Sequence, residues 1–346
     1  MPTLTRTRSV AASLVAVTAV ASGQARAADL TVTAFGGVWE KSLRTCYIEP
    51  FQKQTGKTVD VVLGTGPQYV AQISANPQKP PIDVLLHLID SAEDAKNKGL
   101  VETIDPAKVP NLADVPEPFK RIAGGTAVAT HYGAAGLAYN ADRIKNPPKT
   151  WAEFIDRTIK GDWQASLPGI NVASTTPTAV IWNFNDVLGG KGADVAPAVA
   201  KLKAMRDSGN IVFWNDVNQF LTQMQSGEAE IGIYWDGRAW AAKDGGFKAL
   251  NFVYPEPGGV VSPTVVQKVK NGSPLAWDFI NFLFAPDRQS CWAAAIQYPV
   301  VNTKAEYKPE QKARMPSWQS VRWPPFAEIL ANNAQWVETW NKQIGR

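Results

Sequence analysis

The chain holds 13 tryptophans in 346 residues, a large stock of flat apolar walls with one polar edge each, which suits the non-covalent capture of a small molecule. Trp235 ends a strand-like run that begins at Ala229 and is followed closely by Gly237. Side chains at the carboxyl ends of strands in open α/β sheets project toward the ligand crevice. Trp214 ends another such run and Trp182 stands near a helix start, so both are candidates for the same wall. Trp151, Trp277 and Trp336 fall at helical spacing among apolar neighbours and read as core. Gly36 and Gly37 follow the first strand and leave the amides of the next helix open to an anionic or carbonyl group on a ligand. An ordinary tight turn would use the same pair.

Covalent chemistry finds few footholds. The chain has no Gly-x-Ser-x-Gly, no phosphate loop, no His-Glu-x-x-His and no Gly-x-Gly-x-x-Gly after a strand, so an enzyme is the least favoured class. His87 and His131 are the only histidines. His87 lies in an apolar strand-like run, which reads as a core or hinge position rather than a metal ligand. No metal and no cofactor is assigned. Cys46 and Cys291 are a candidate disulfide in an exported chain, with two buried free thiols as the alternative.

Export is itself a reading of the first 27 residues. Arg6 and Arg8 precede an uncharged run from Val10 to Ser22, and Ala25-Arg26-Ala27 supplies small residues for cleavage after Ala27. The two arginines are not adjacent, which favours the general export route over the twin-arginine one. Cleavage removes three of the 35 basic residues and none of the 31 acidic ones, so the mature chain is close to neutral. Neither nucleic acid nor an anionic membrane is implied as a partner.

Strand-like and helical runs alternate through the mature chain, the pattern of βα units. Strands are expected near Leu30 to Phe35, Thr58 to Leu63, Ile82 to Leu88, Ala127 to Tyr139, Ala165 to Val172, Ile211 to Trp214, Ala229 to Trp235, Asn251 to Tyr254 and Val260 to Val269. Trp39, Leu43, Tyr47 and Phe51 recur every fourth residue and predict one apolar helix face. Ser91 is expected to cap a helix that stops at Gly99, and Thr150-Trp151-Ala152-Glu153 has the form of a capping box. No flexible tether appears, so strands are expected to join the two domains.

Several stretches resemble the type II periplasmic binding proteins that include spermidine and putrescine receptors. They are Thr33-Ala34-Phe35-Gly36-Gly37, Ile82-Asp83-Val84 followed by Asp90-Ser91, the run from Ser226 to Arg238 with Trp235-Asp236-Gly237, and Ile296-Gln297-Tyr298-Pro299 with Asn302. The resemblance runs from about Leu30 to Thr303. It implies two α/β lobes, each a sheet flanked by helices, with a ligand cleft between them and delivery to the membrane subunits of an ABC permease. On this reading residues 1–27 are a signal peptide, 28–137 and 262–305 form the first lobe, and 138–261 and 306–346 form the second. By resemblance the cleft residues include Asp90, Ser91, Thr175, Trp235 and Tyr298.

The charges depart from the polyamine pattern. The loop Ser174 to Thr178, where polyamine receptors place acids, carries none, and Arg238 stands where putrescine receptors have an acid. An arginine there repels a diamine and can grip a carboxylate, sulfonate or phosphonate with two parallel hydrogen bonds; a surface salt bridge is the plain alternative. Asp90 and Asp236 remain for an amine, although Asp90 could equally serve to cap its helix. The expectation is therefore a monomeric periplasmic receptor that closes around a small zwitterion, such as an amino-acid conjugate or opine-like compound. The alternatives are a polyamine receptor and a receptor that docks on a chemosensor.

Overall fold

The structure, a computed structural model, describes residues 28–172 and 176–345. The leader and Thr175 lie outside the described residues. Nine strands run in chain order: β1 Leu30–Ala34, β2 Val59–Leu63, β3 Val84–Leu88, β4 Val128–Asn140, β5 Ala165–Pro168, β6 Ile211–Trp214, β7 Ile231–Trp235, β8 Leu250–Val253 and β9 Val260–Lys268. They lie in the order β2-β1-β3-β9-β4-β7-β5-β6, with β8 on β4. Every strand expected from the sequence is present, with ends that move by a few residues.

β1, β2 and β3 pair in parallel and are closed by antiparallel β9. β5, β6 and β7 form a second parallel group, to which β4 adds antiparallel. Leu30, Val32, Thr33 and Ala34 are all buried, as a parallel strand covered on both faces requires. Helices cover both faces of each group, so each lobe is an α/β unit.

The boundary between the lobes falls at one level on two paired strands. Ala134 packs with the first core and Ala135 with the second, while Val261 packs with the first and Val260 with the second. Ala134 pairs with Val261 and Ala135 with Val260 in the β4–β9 ladder. The two strands therefore leave one core and enter the other side by side. A pair of crossing strands can bend while holding its register.

The C-terminal part corrects the sequence-based division. Residues 306–346 were expected in the second lobe. Tyr307, Trp318, Val321, Trp323 and Phe326 pack on the first core, and only from Ile329 does the chain join the second, through Trp336, Trp340 and Ile344. The cause is local: Arg322 bonds by its amide to the Gly259 carbonyl at 2.7 Å and by its carbonyl to the Val261 amide at 2.9 Å. Pro324 and Pro325 then release the chain into the Phe326–Gln343 helix.

Cys46 and Cys291 are bonded, with their Cα atoms 5.6 Å apart. Cys46 lies in a π-helical turn, Arg44–Ile48, between the Val38–Leu43 and Glu49–Thr55 helices. Leu43, Tyr47 and Phe51 form the buried face that their spacing predicts. In the Trp151–Lys160 helix Thr150 accepts the Glu153 amide at 3.0 Å. The Glu153 carboxylate reaches back to the Lys149 amide, one residue before the cap, so the expected box is half made.

Candidate functional site

A narrow recess opens where β4 and β9 cross between the cores. Ala135, Thr176, Val260, Ser262 and Phe326 line it together with Trp235, the last residue of β7. It lies at the carboxyl end of β7, where open α/β sheets place ligands. The shallow depression around Asp29 and Lys57 lies instead at the amino ends of β1 and β2.

Trp235 is half-buried, as a wall between core and ligand would be. Trp214 backs it at 5.3 Å between ring centroids. Trp214 itself is fully buried and its indole N–H donates to the Ile233 carbonyl at 3.2 Å. The structure thus corrects the expectation for Trp214: packing against Phe220 and Tyr234 turns the ring inward. Trp182 is half-buried, and one face of its ring is covered. The Arg322 guanidinium lies 4.7 Å from the centre of its ring and bonds to Asn183 and Asp186 on the same helix, so a cation from this chain occupies that face.

Asp236 is the first residue of the Asp236–Asp244 helix, which starts directly after Trp235 rather than through the expected glycine turn. Only 2 % of it is exposed. One carboxylate oxygen accepts the amides of Gly237 at 2.7 Å and Ala134 at 3.2 Å, and the other accepts the Tyr254 hydroxyl at 2.9 Å. Burial raises its pKa to about 7 against the pull of these donors. Its oxygens are taken by the hinge strand and Tyr254, so the expected pairing of Asp236 with a ligand amine is replaced by a bond between lobes.

Tyr298 lies across two glycines. A Cβ on Gly133 or Gly237 would come within 2.7 Å or 2.5 Å of its ring, so both positions depend on having no side chain. Arg238, exposed beside it, lies near enough to Tyr298 and Tyr234 for its charge to oppose the burial that raises both phenols. Every other arginine among the described residues has a carboxylate partner; Arg238 has none.

On the first lobe Gly36 and Gly37 are exposed after β1, and Gly37 has φ of +73°, the left-handed region that favours glycine. The helix expected to begin at Ser91 begins at Ile89, with Leu88 flanking it and no side-chain cap. Asp90 and Ser91 therefore lie in its first turn. Ser91 is buried, because Gly66 approaches so closely that a Cβ there would lie 2.1 Å from its hydroxyl. Asp90 is half-buried with a raised pKa caused by burial, accepts the Ser91 amide at 2.8 Å, and has no cationic partner among the described residues.

The structure thus sets Arg238 and Tyr298 close to Asp236, while Trp235, the residue before Asp236, ends β7 at the recess. Sequence reasoning missed Phe326, Tyr254 and Arg322. Only Pro324-Pro325 hinted that the tail changes direction there.

Comparison with known proteins gives the family. The model for bacterial extracellular solute-binding proteins matches residues 79–332. A γ-aminobutyric acid-binding protein of Pseudomonas aeruginosa is 27 % identical over 300 residues, covering 84 % of this chain and 82 % of that one. The spermidine/putrescine-binding periplasmic protein of Escherichia coli is 24 % identical over 307 residues, covering 84 % of each. A crystal structure of a putative extracellular solute-binding protein from Bordetella parapertussis superposes with a TM-score of 0.83 at 31 % identity, over 91 % of this chain and 98 % of that one. With two α/β lobes joined by paired strands around a recess, the chain belongs to the bacterial extracellular solute-binding proteins, the receptors that bind small solutes for ABC importers.

Proposed function

We propose that this receptor takes a small zwitterion, with Arg238 holding an acidic group, Asp90 facing an ammonium group across the cleft, and Trp235 and Tyr298 forming the wall between. The observation that carries this reading is that Arg238, exposed beside Tyr234 and Tyr298, has no carboxylate partner, while every other described arginine has one. A planar guanidinium with free donors binds a carboxylate or phosphonate in two parallel bonds. γ-Aminobutyric acid, named for the Pseudomonas relative, has this form of ammonium and carboxylate. A polyamine has no group for Arg238.

Capture proceeds by closure. Contacts from both lobes to one solute favour the closed state over the open one, and only that difference moves the equilibrium. The chain is exported, cleaved after Ala27, and works as a periplasmic monomer that hands its solute unchanged to permease subunits. Mass spectrometry of the solute that copurifies tests the proposal, together with calorimetry on 4-aminobutanoate, 2-aminoethylphosphonate, 1,4-diaminobutane and succinate. Tight binding of a compound with both charges supports it. Preference for the diamine, or equal binding of all four, overturns it in favour of a polyamine receptor or a non-selective cleft.

A further inference from the structure

His131 lies on the crossing strand β4, and its ring is fixed by one edge. Nδ1 lies 3.1 Å from the indole Nε1 of Trp292 and 3.0 Å from the Thr130 hydroxyl. An indole nitrogen only donates. Nδ1 must therefore be bare, and the proton of the neutral imidazole is on Nε2. No described residue accepts that proton, so the Nε2–H edge of the ring is left without a partner within the described chain.

The ring lies on the strand face that leads to the recess. Side chains alternate along a strand, so His131, Gly133 and Ala135 share one face of β4. The register through these residues is regular, pairing them with Thr264, Ser262 and Val260. Ala135, Val260 and Ser262 line the recess, and Gly133 lies against Tyr298. His131 is the next position along this face, with its ring 5.9 Å from that of Tyr298 and 6.3 Å from that of Trp39.

We infer that His131 is a specificity-determining residue of the cleft, presenting Nε2–H from the hinge strand as a fixed donor to an acceptor oxygen of the bound solute. Burial lowers its pKa to about 3, so the ring stays neutral at any pH the periplasm meets and recognises an oxygen by geometry rather than by charge. It complements Arg238: the arginine supplies charge from the second lobe, and the imidazole supplies direction from the crossing. The inference rests on the solute occupying this cleft.

The chain has two histidines, and His87 is an internal control because its Nε2 already meets the Gln267 side-chain oxygen at 2.8 Å. Proton–nitrogen NMR of 15N-histidine-labelled protein should show both rings as Nε2–H tautomers from pH 5 to 8. Saturation with whichever of 4-aminobutanoate or 2-aminoethylphosphonate binds should shift the His131 Nε2–H resonance downfield and leave that of His87 in place. Calorimetry on His131→Phe should show binding about ten- to a hundredfold weaker, the range for a lost hydrogen bond to a charged group. His131→Gln, which keeps an acceptor for Trp292 and a donor, should recover part of the loss. A proton on Nδ1, or equal shifts in both rings, overturns the inference. So does a wild-type affinity that survives in both His131 variants while Trp235→Ala abolishes it; that result leaves the cleft reading standing. Failure of the wild type to bind either compound, or any copurified zwitterion, overturns the cleft reading and this inference with it.

Discussion

The carboxylate of Asp236, in the second lobe, accepts the backbone amide of Ala134, the last β4 residue packed in the first core, at 3.2 Å. The two residues are 102 positions apart in sequence and meet at the level where both crossing strands change cores.

This contact gives stability a pH signature. The folded pKa of Asp236 is raised to about 7, well above its unfolded value. Between the two values the folded state holds a proton that the unfolded state does not, so stability rises as pH falls, by up to about 1.4 kcal/mol per pH unit. Asp236→Asn mimics the protonated form, accepting both amides and donating to Tyr254. It should raise the melting temperature at pH 8 and lose that advantage as pH falls from 7 toward 4. A constant difference between variant and parent across this range would contradict the assignment.

Arg238 is exposed and carries no structural ion pair, so Arg238→Ala should leave the unfolding free energy of the free protein within about 0.5 kcal/mol of the parent. Binding of a solute with an acidic group should weaken by at least tenfold, while a purely cationic compound gains or holds. Calorimetry with 4-aminobutanoate and 1,4-diaminobutane separates these outcomes.

Gly237→Ala places a Cβ 2.5 Å from the Tyr298 ring. The ring must move or the helix must shift, at a cost of about 1–3 kcal/mol. Solute affinity should fall more than stability, because the displaced ring belongs to the proposed wall. Thermal melts and titrations on the same variant measure the two effects.

The Cys46–Cys291 bond closes a sequence separation of 245 residues. Its reduction, or the double change to serine, should cost about 2–4 kcal/mol in denaturant unfolding. The cross-link joins two helices of the first lobe whose aromatic residues, Trp39 and Trp292, meet at 4.9 Å. Ligand affinity should therefore weaken along with stability.

The strands were legible because runs such as Ile211–Trp214 and Val260–Lys268 concentrate β-branched and aromatic residues between turn residues. Position within the cleft was not. Trp214 and Trp235 both end strands and look alike in sequence, yet one is sealed and the other half-open; Trp214 is held inward by Phe220, Tyr234 and the Ile233 carbonyl, which come from other stretches of the chain. Asp236 read as a ligand carboxylate because its true partners, Ala134 and Tyr254, come from other elements. Ser91 read as a cap because serine favours that place, but the tight approach of Gly66 buries it within the helix. The path of the tail was hidden for the same reason, since Arg322 joins the crossing through backbone atoms that any residue would supply.

That path has a practical outcome. The chain ends on the lobe opposite the one its tail first covers, through Trp340 and Ile344. A fluorophore fused after the last helix will ride with the second lobe, and one placed in the loop between Gly56 and Val59 will ride with the first. On the proposed closure, the distance between the two dyes reports the solute optically, and the protein becomes a sensor without any change to the cleft.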